Sequence, residues 1–210
     1  MIGVCVHFAA SARDGKFLHM RQGAKKLIDI RATPIEDVKI ITPKRFSDDR
    51  GYFVETYNAA RLAEHGISTH FIQDNQSLSR EVGTVRGLHF QTPPFAQAKL
   101  VRVVAGAILD IAVDIREASS TYGQYVAVEL SADDGRQLFI PTGFAHGFCT
   151  LAPDTVLTYK VDAHYSAAHD AGIIWDDGDI GIAWPAVANT DYLSPKDKVL
   201  PKLESIDNPF

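Results

Sequence analysis

Residues 99–115 read KLVRVVAGAILDIAVDI. Two apolar, β-branched runs flank the turn signal Ala105–Gly106, so the stretch is a strand, a turn and a second strand. In the second run Leu109, Ile111 and Val113 share one face, while Asp110, Ala112 and Asp114 share the other. Carboxylates at alternate positions of a core-like strand admit two readings. That face is solvated, or it lines a polar interior that binds something.

Working outward, strands dominate. VKIIT (38–42), GYFVETY (51–57), THFIQDNQ (69–76) and TVRGLHFQ (84–91) precede this stretch. QYVAVELS (124–131), RQLFIPT (136–142), HGFCTL (146–151) and TVLTYKV (155–161) follow it. All are rich in Val, Ile, Phe, Tyr and Thr, and Asp-Asp-Gly (133–135) and Ala-Pro-Asp (152–154) mark turns between them. One short helix is expected, with Asn58 capping AARLAEH and Gly66 ending it. A short helical turn is expected near SPKDKVL (194–200). About ten short strands with such turns close most naturally as an all-β jelly-roll sandwich or barrel.

At 210 residues a single domain is the default. Residues 1–31 differ from the rest: they are basic at HMRQGAKKL and lack strand alternation, and they read as an N-terminal extension to a domain spanning 32–210. The N-terminus has no basic n-region before its apolar start, and no apolar run reaches the ~18–20 residues of a membrane span. Cys5 and Cys149 make no disulfide framework, which points to a reduced, cytoplasmic setting. A net charge of −5 argues against general nucleic-acid binding. It still allows an anionic small ligand, because a few convergent cations reverse the sign locally.

Several residues carry possible chemistry. Arg86 and His89 lie three positions apart, so ideal alternation puts them on opposite faces, Arg86 in solvent and His89 a satisfied core histidine. A bulge at Gly87 would instead turn both into one cavity. Lys99 opens its strand, where lysines are usually exposed. His146 sits among glycines and phenylalanines in PTGFAHGF (141–148). Tyr159 packs as a core residue with its hydroxyl tied to backbone, or serves as an acid. A metal site would want an H-x-H pair, but position 91 is Gln and position 148 is Phe.

Taken together, FSDDRGYFVETYN (46–58), FIQDNQS (71–77), RGLHFQ (86–91), AQAKLVRVVAGAILDIAVDIR (96–116), STYGQYVAVELS (120–131), RQLFIPTGFAHGF (136–148) and YKVDAHYS (159–166) resemble the dTDP-4-dehydrorhamnose 3,5-epimerases. The resemblance runs from about Ile35 to Leu200. It implies a cupin-type jelly-roll, a nucleotide-sugar substrate, a homodimer with N-terminal strands pairing across the interface, and no metal or other cofactor. The implied chemistry is inversion at C3 and C5 of a dTDP-4-keto-6-deoxy-hexose. Inversion at C3 or C5 alone, or a non-catalytic sugar-binding cupin, stands as the alternative.

By the same resemblance His89 is the base, Asp197 of LSPKD (193–197) orients it, Tyr159 is the acid, and Lys99 contacts the substrate. Since proton removal puts charge on the C4 oxygen, Lys99, with His146, is also the candidate to steady the enolate. Substrate contacts fall on Arg50, Glu55, Gln73, Asn75, Arg86, His146 and Lys196, with Tyr165 stacked on the thymine. Asp170, in YSAAHDAG (165–172), stands where the family often has glutamate.

Overall fold

The computed structural model describes residues 27–210. Strands follow one another as β1 (Ile28–Ala32), β2 (Lys39–Pro43), β3 (Arg45–Asp48), β4 (Gly51–Val54), β5 (Gln73–Ser79), β6 (Val85–Gln91), β7 (Lys99–Ala105), β8 (Ala107–Asp114), β9 (Tyr125–Ser131), β10 (Gln137–Ile140), β11 (Phe144–Thr150), β12 (Thr155–Val161) and β13 (Asp170–Gly172). A single short helix among the described residues, α1 (Ala59–Ala63), lies between β4 and β5. The Asn58 side chain accepts the backbone N–H of Arg61 at 3.2 Å, the expected cap.

Two antiparallel sheets face each other as a cupin-type jelly-roll. One has the order β1-β2-β10-β7-β12-β5, the other β13-β6-β11-β8-β9, and β3 and β4 form a separate hairpin. The turn at Ala105–Gly106 is therefore a corner between sheets. Gly106 has φ +77°, and a Cβ there would lie 2.3 Å from Thr155 Oγ1, so only glycine fits.

This corner decides which face of β8 looks inward. Ile108 and Ala112 pack with Val101, Val103, Leu138, Ile140 and Leu157 between the sheets, and Asp110 and Asp114 share their side. Ile111 and Val113 look outward, where residues of the C-terminal segment, including Ile173, Ile180 and Leu203, cover them. Both faces of β8 are thus buried, and the solvated reading of its carboxylates falls. Asp114 is neutralised locally, accepting from Arg116, Ser119 and Thr121.

Some boundaries differ from the sequence reading. β1 takes residues 28–31 of the expected extension into a sheet, paired with β2. Ile28-Asp29-Ile30-Arg31 does alternate, with Ile28 and Ile30 packed toward Leu62 of α1, but only over two repeats and directly after the basic AKKL stretch. The remainder of that extension, with Cys5, lies outside the described residues. β5 starts at Gln73 rather than at 69, and Phe71 ahead of it meets Tyr57 edge-on at 5.8 Å. The expected helical turn near 194–200 is a 3-10 turn over Asp197–Val199.

Candidate active site

The site grows from an irregularity in β6. His89 faces His146 of β11, but Arg86 faces Phe148, so β6 spends three steps where β11 spends two. The extra residue sits at Gly87, with φ +112°. A Cβ on Gly87 would stand 2.6 Å from the Gly147 Cα, and one on Gly147 would stand 2.7 Å from the Arg86 carbonyl oxygen. Glycine on both strands permits this approach. The bulge restores Arg86 to the side of His89, and both line one cavity of about 300 Å3. Arg86 is exposed at its mouth, where its guanidinium donates to Ser79 Oγ and the Leu78 carbonyl of β5.

Lys99, His146, Tyr159, Tyr165, Asp170 and Lys196 line the same cavity. β6 and β11 supply the histidines from one sheet; β7 and β12 supply Lys99 and Tyr159 from the other. The two sets therefore face each other across the interior.

His89 Nε2 lies 2.7 Å from Asp197 Oδ1. Asp197 is only 2% exposed, so its carboxylate acts in a dry setting. Burial alone would raise its pKa, but hydrogen bonds from His89, Gly87 and Ser194 hold it below the usual carboxylate value. The pair is oriented by backbone as well, since Gly87 N–H points at Asp197 Oδ2 at 3.4 Å. Ser194 Oγ accepts the Asp197 N–H at 3.1 Å.

Lys99 is buried, not exposed, and donates to the His89 carbonyl at 3.2 Å. Burial lowers its pKa to about 8, against the opposing charges of Asp110 and Asp170. The Tyr159 phenol is pushed up by burial, with Arg86 pulling the other way. Its ring packs on the core, yet its hydroxyl makes no hydrogen bond among the described residues, so the backbone-tied reading does not hold. At the mouth Asp170 Oδ2 accepts from Lys196 at 2.5 Å and from Tyr165 at 3.2 Å.

Four sequence candidates stand apart from this cavity. Arg50 is 90% exposed on the β3–β4 hairpin and pairs with its neighbour Asp48. Glu55 pairs with Arg61 beside α1. The Gln73 amide donates to Asn75, and Asn75 borders a second hollow near Thr158 and Lys160. Conversely, Asp110 was not among the candidates although its alternation with Asp114 was visible. It is fully buried, and its Oδ1 lies 2.7 Å from His146 Nε2. Gln91, at the position a second metal-binding histidine would need, spends its amide on the Phe95 and His164 carbonyls and the Ser166 N–H. Among the described residues, no three His, Cys, Asp or Glu side chains converge as a metal-binding group.

A histidine held by a buried carboxylate, with a lysine and a tyrosine facing it across one cavity, is the arrangement found. The family model for dTDP-4-dehydrorhamnose 3,5-epimerase matches residues 32–205. A Sinorhizobium fredii protein of that name is 53% identical over 169 residues, covering 80% of this chain and 86% of the relative. The Bacillus anthracis dTDP-4-dehydrorhamnose 3,5-epimerase, solved with TDP and pyrophosphate bound, superposes with a TM-score of 0.80 at 49% identity, covering 83% of this chain and 99% of the other. A Legionella pneumophila dTDP-6-deoxy-D-glucose-3,5-epimerase in complex with dTDP-4-keto-L-rhamnose gives 0.81 at 43% identity, covering 86% and 95%. The chain belongs to the dTDP-4-dehydrorhamnose 3,5-epimerase family.

Proposed function

We propose that this protein inverts C3 and C5 of a dTDP-4-keto-6-deoxy-hexose, converting dTDP-4-dehydro-6-deoxy-D-glucose to dTDP-4-dehydro-L-rhamnose. The observation that carries this reading is the His89–Asp197 pair at 2.7 Å, opening on a cavity whose far wall holds Tyr159 and Lys99. Both carbons flank the C4 ketone, so the protons on each are acidified. His89 takes a proton while Asp197 fixes its tautomer and steadies the imidazolium. Negative charge then gathers on the C4 oxygen, where the Lys99 ammonium stabilises it. Inversion requires the new proton to arrive from the opposite face, and Tyr159 stands on the opposite sheet to deliver it.

Arg86 and Lys196 at the mouth supply positive charge for the diphosphate, with Tyr165, 62% exposed, available to stack on the base. Asp170 now occupies Lys196, so the diphosphate displaces that carboxylate on binding. A homodimer completes the reading. The β3–β4 hairpin carries Phe46 and Phe53 as a cross-strand pair, 45% and 69% exposed, beside Arg50. On a second copy such a hairpin brings Arg50 and Glu55 to a cavity they do not reach in their own chain. A cytoplasmic setting accords with Cys149, a buried free thiol whose pKa burial raises to about 11.

The test is solvent exchange. The protein is incubated with the 4-keto-6-deoxy substrate in D2O, and label at C3 and C5 is followed by NMR. Label and inversion at both carbons is the expected result. Label at one carbon alone assigns a single-centre epimerase, and none at either defeats the reading.

A further inference from the structure

We propose that Asp110 is a positioning residue of this site: it fixes His146 as a hydrogen-bond acceptor toward the cavity and is the counter-charge that retains the Lys99 ammonium there. The inference rests on the proton-transfer reading of the cavity but concerns a residue that reading leaves idle.

Asp110 is fully buried on the inward face of β8, and its Oδ1 lies 2.7 Å from His146 Nε2. A carboxylate only accepts, so the shared hydrogen belongs to Nε2. His146 is itself buried, and desolvation lowers its pKa; Asp110 opposes that, while the nearby Lys99 and His89 add to it. The ring is therefore neutral, and Nδ1 carries a lone pair. Nδ1 makes no hydrogen bond among the described residues, and His146 lines the cavity. A neutral ring so oriented accepts a hydrogen bond, from a sugar hydroxyl or from an ammonium. It cannot donate to a developing oxyanion, which leaves that task to Lys99.

The second oxygen of Asp110 carries the rest of the argument. Asp110 Oδ2 is buried without any hydrogen-bond partner among the described residues. A lone buried carboxylate oxygen is costly unless an opposite charge shares its dry surroundings. Lys99 is that charge, buried on β7 and attracted by Asp110. The other groups facing Lys99 are His89 from β6, His146 from β11, Tyr159 from β12 and Asp170 from β13. Asp110 and, less strongly, Asp170 hold the proton on Lys99 against desolvation.

Two measurements decide the matter. In protein carrying 15N-labelled histidine, with His146 assigned by its loss in His146→Gln, long-range 1H–15N correlations report the tautomer. The Nε2–H form is expected throughout pH 6–8; an Nδ1–H form or an imidazolium overturns the proposal. This readout needs no turnover, so it stands apart from any failure of the epimerase reading. In Asp110→Asn the negative charge is gone, and the alkaline limb of kcat/KM should move acid-ward by about one pH unit, the scale expected for loss of a close opposite charge. An unmoved limb in a folded variant also overturns the proposal. If Asp110→Asn does not fold, the tautomer in the unsubstituted protein decides alone.

Discussion

His89 Nε2 and Asp197 Oδ1 meet at 2.7 Å although 108 residues separate them in the chain. The meeting is arranged from both ends. The Gly87 bulge presents its N–H to the same carboxylate, and Ser194 tethers the turn that carries Asp197. His89 and Asp197 are thereby parts of one hydrogen-bonded unit, and under the proposed mechanism removing either should be felt at the proton-transfer step.

His89→Ala should lower kcat by about 10²–10⁴-fold or more, the usual loss for a proton-transfer group. The variant should fold, with a thermal midpoint lowered by the loss of the hydrogen bond to the buried Asp197. Deuterium uptake at C3 and C5 should fall in parallel. Uptake near the unsubstituted level would remove His89 from the role of base.

Tyr159→Phe should separate exchange from inversion. The His89 side of the cavity is untouched, so proton removal and return from that face continue. Product should fall by about 10²–10⁴-fold while label still enters the substrate. Equal product formation would make Tyr159 a packing residue.

Lys99 sets an alkaline limit. Its folded pKa is lowered to about 8, so the ammonium is present below that value and lost as pH rises through it. The log of kcat/KM should therefore bend downward near pH 8. Lys99→Arg keeps a charge that does not titrate in this range, so whatever activity it retains should lose that bend. A bend that persists unchanged in Lys99→Arg would belong to another group.

Gly87→Ala should damage both stability and site. A side chain at φ +112° is strained by about 1–3 kcal/mol. The contact of 2.6 Å with the Gly147 Cα adds a push between β6 and β11. A lowered melting temperature with reduced turnover is expected. An unchanged melting temperature would mean that the bulge relaxes without cost.

The chain boundary can be tested by two deletions. Removing residues 1–26 leaves β1 whole and should leave stability and activity as they were. Removing 1–31 strips β1 from β2, with Ile28 and Ile30 lost from their cluster. That should cost about 2 kcal/mol, two half-buried isoleucines set against about 1.5–3 kcal/mol for one fully buried. Equal melting temperatures for the two deletions would return the boundary to Ala32.

The strands were legible because period-two alternation and turn residues are local. KLVRVVAGAILDIAVDI needs no tertiary information to be a strand, a turn and a strand. The helix cap at Asn58 was legible for the same reason. Short strands such as β1 and β13 were not: DAG is too short to show a period, and IDIRA alternates over only two repeats beside an irregular basic stretch. His89, Tyr159 and Lys99 were identified through resemblance, because their residue types alone left ordinary core or surface readings open.

The fold decided what alternation leaves symmetric. A period of two divides β8 into an apolar and an acidic face but does not say which one the protein encloses. The corner at Gly106 moves β8 to the opposite sheet, turns Asp110 inward, and leaves Ile111 and Val113 to be covered by the C-terminal segment from Ile173 onward. The same holds for Asp197, which reaches His89 only through contacts distant in sequence. Local sequence determined which residues alternate; which of them share a dry cavity, and hence which charges act on one another, depended on long-range packing.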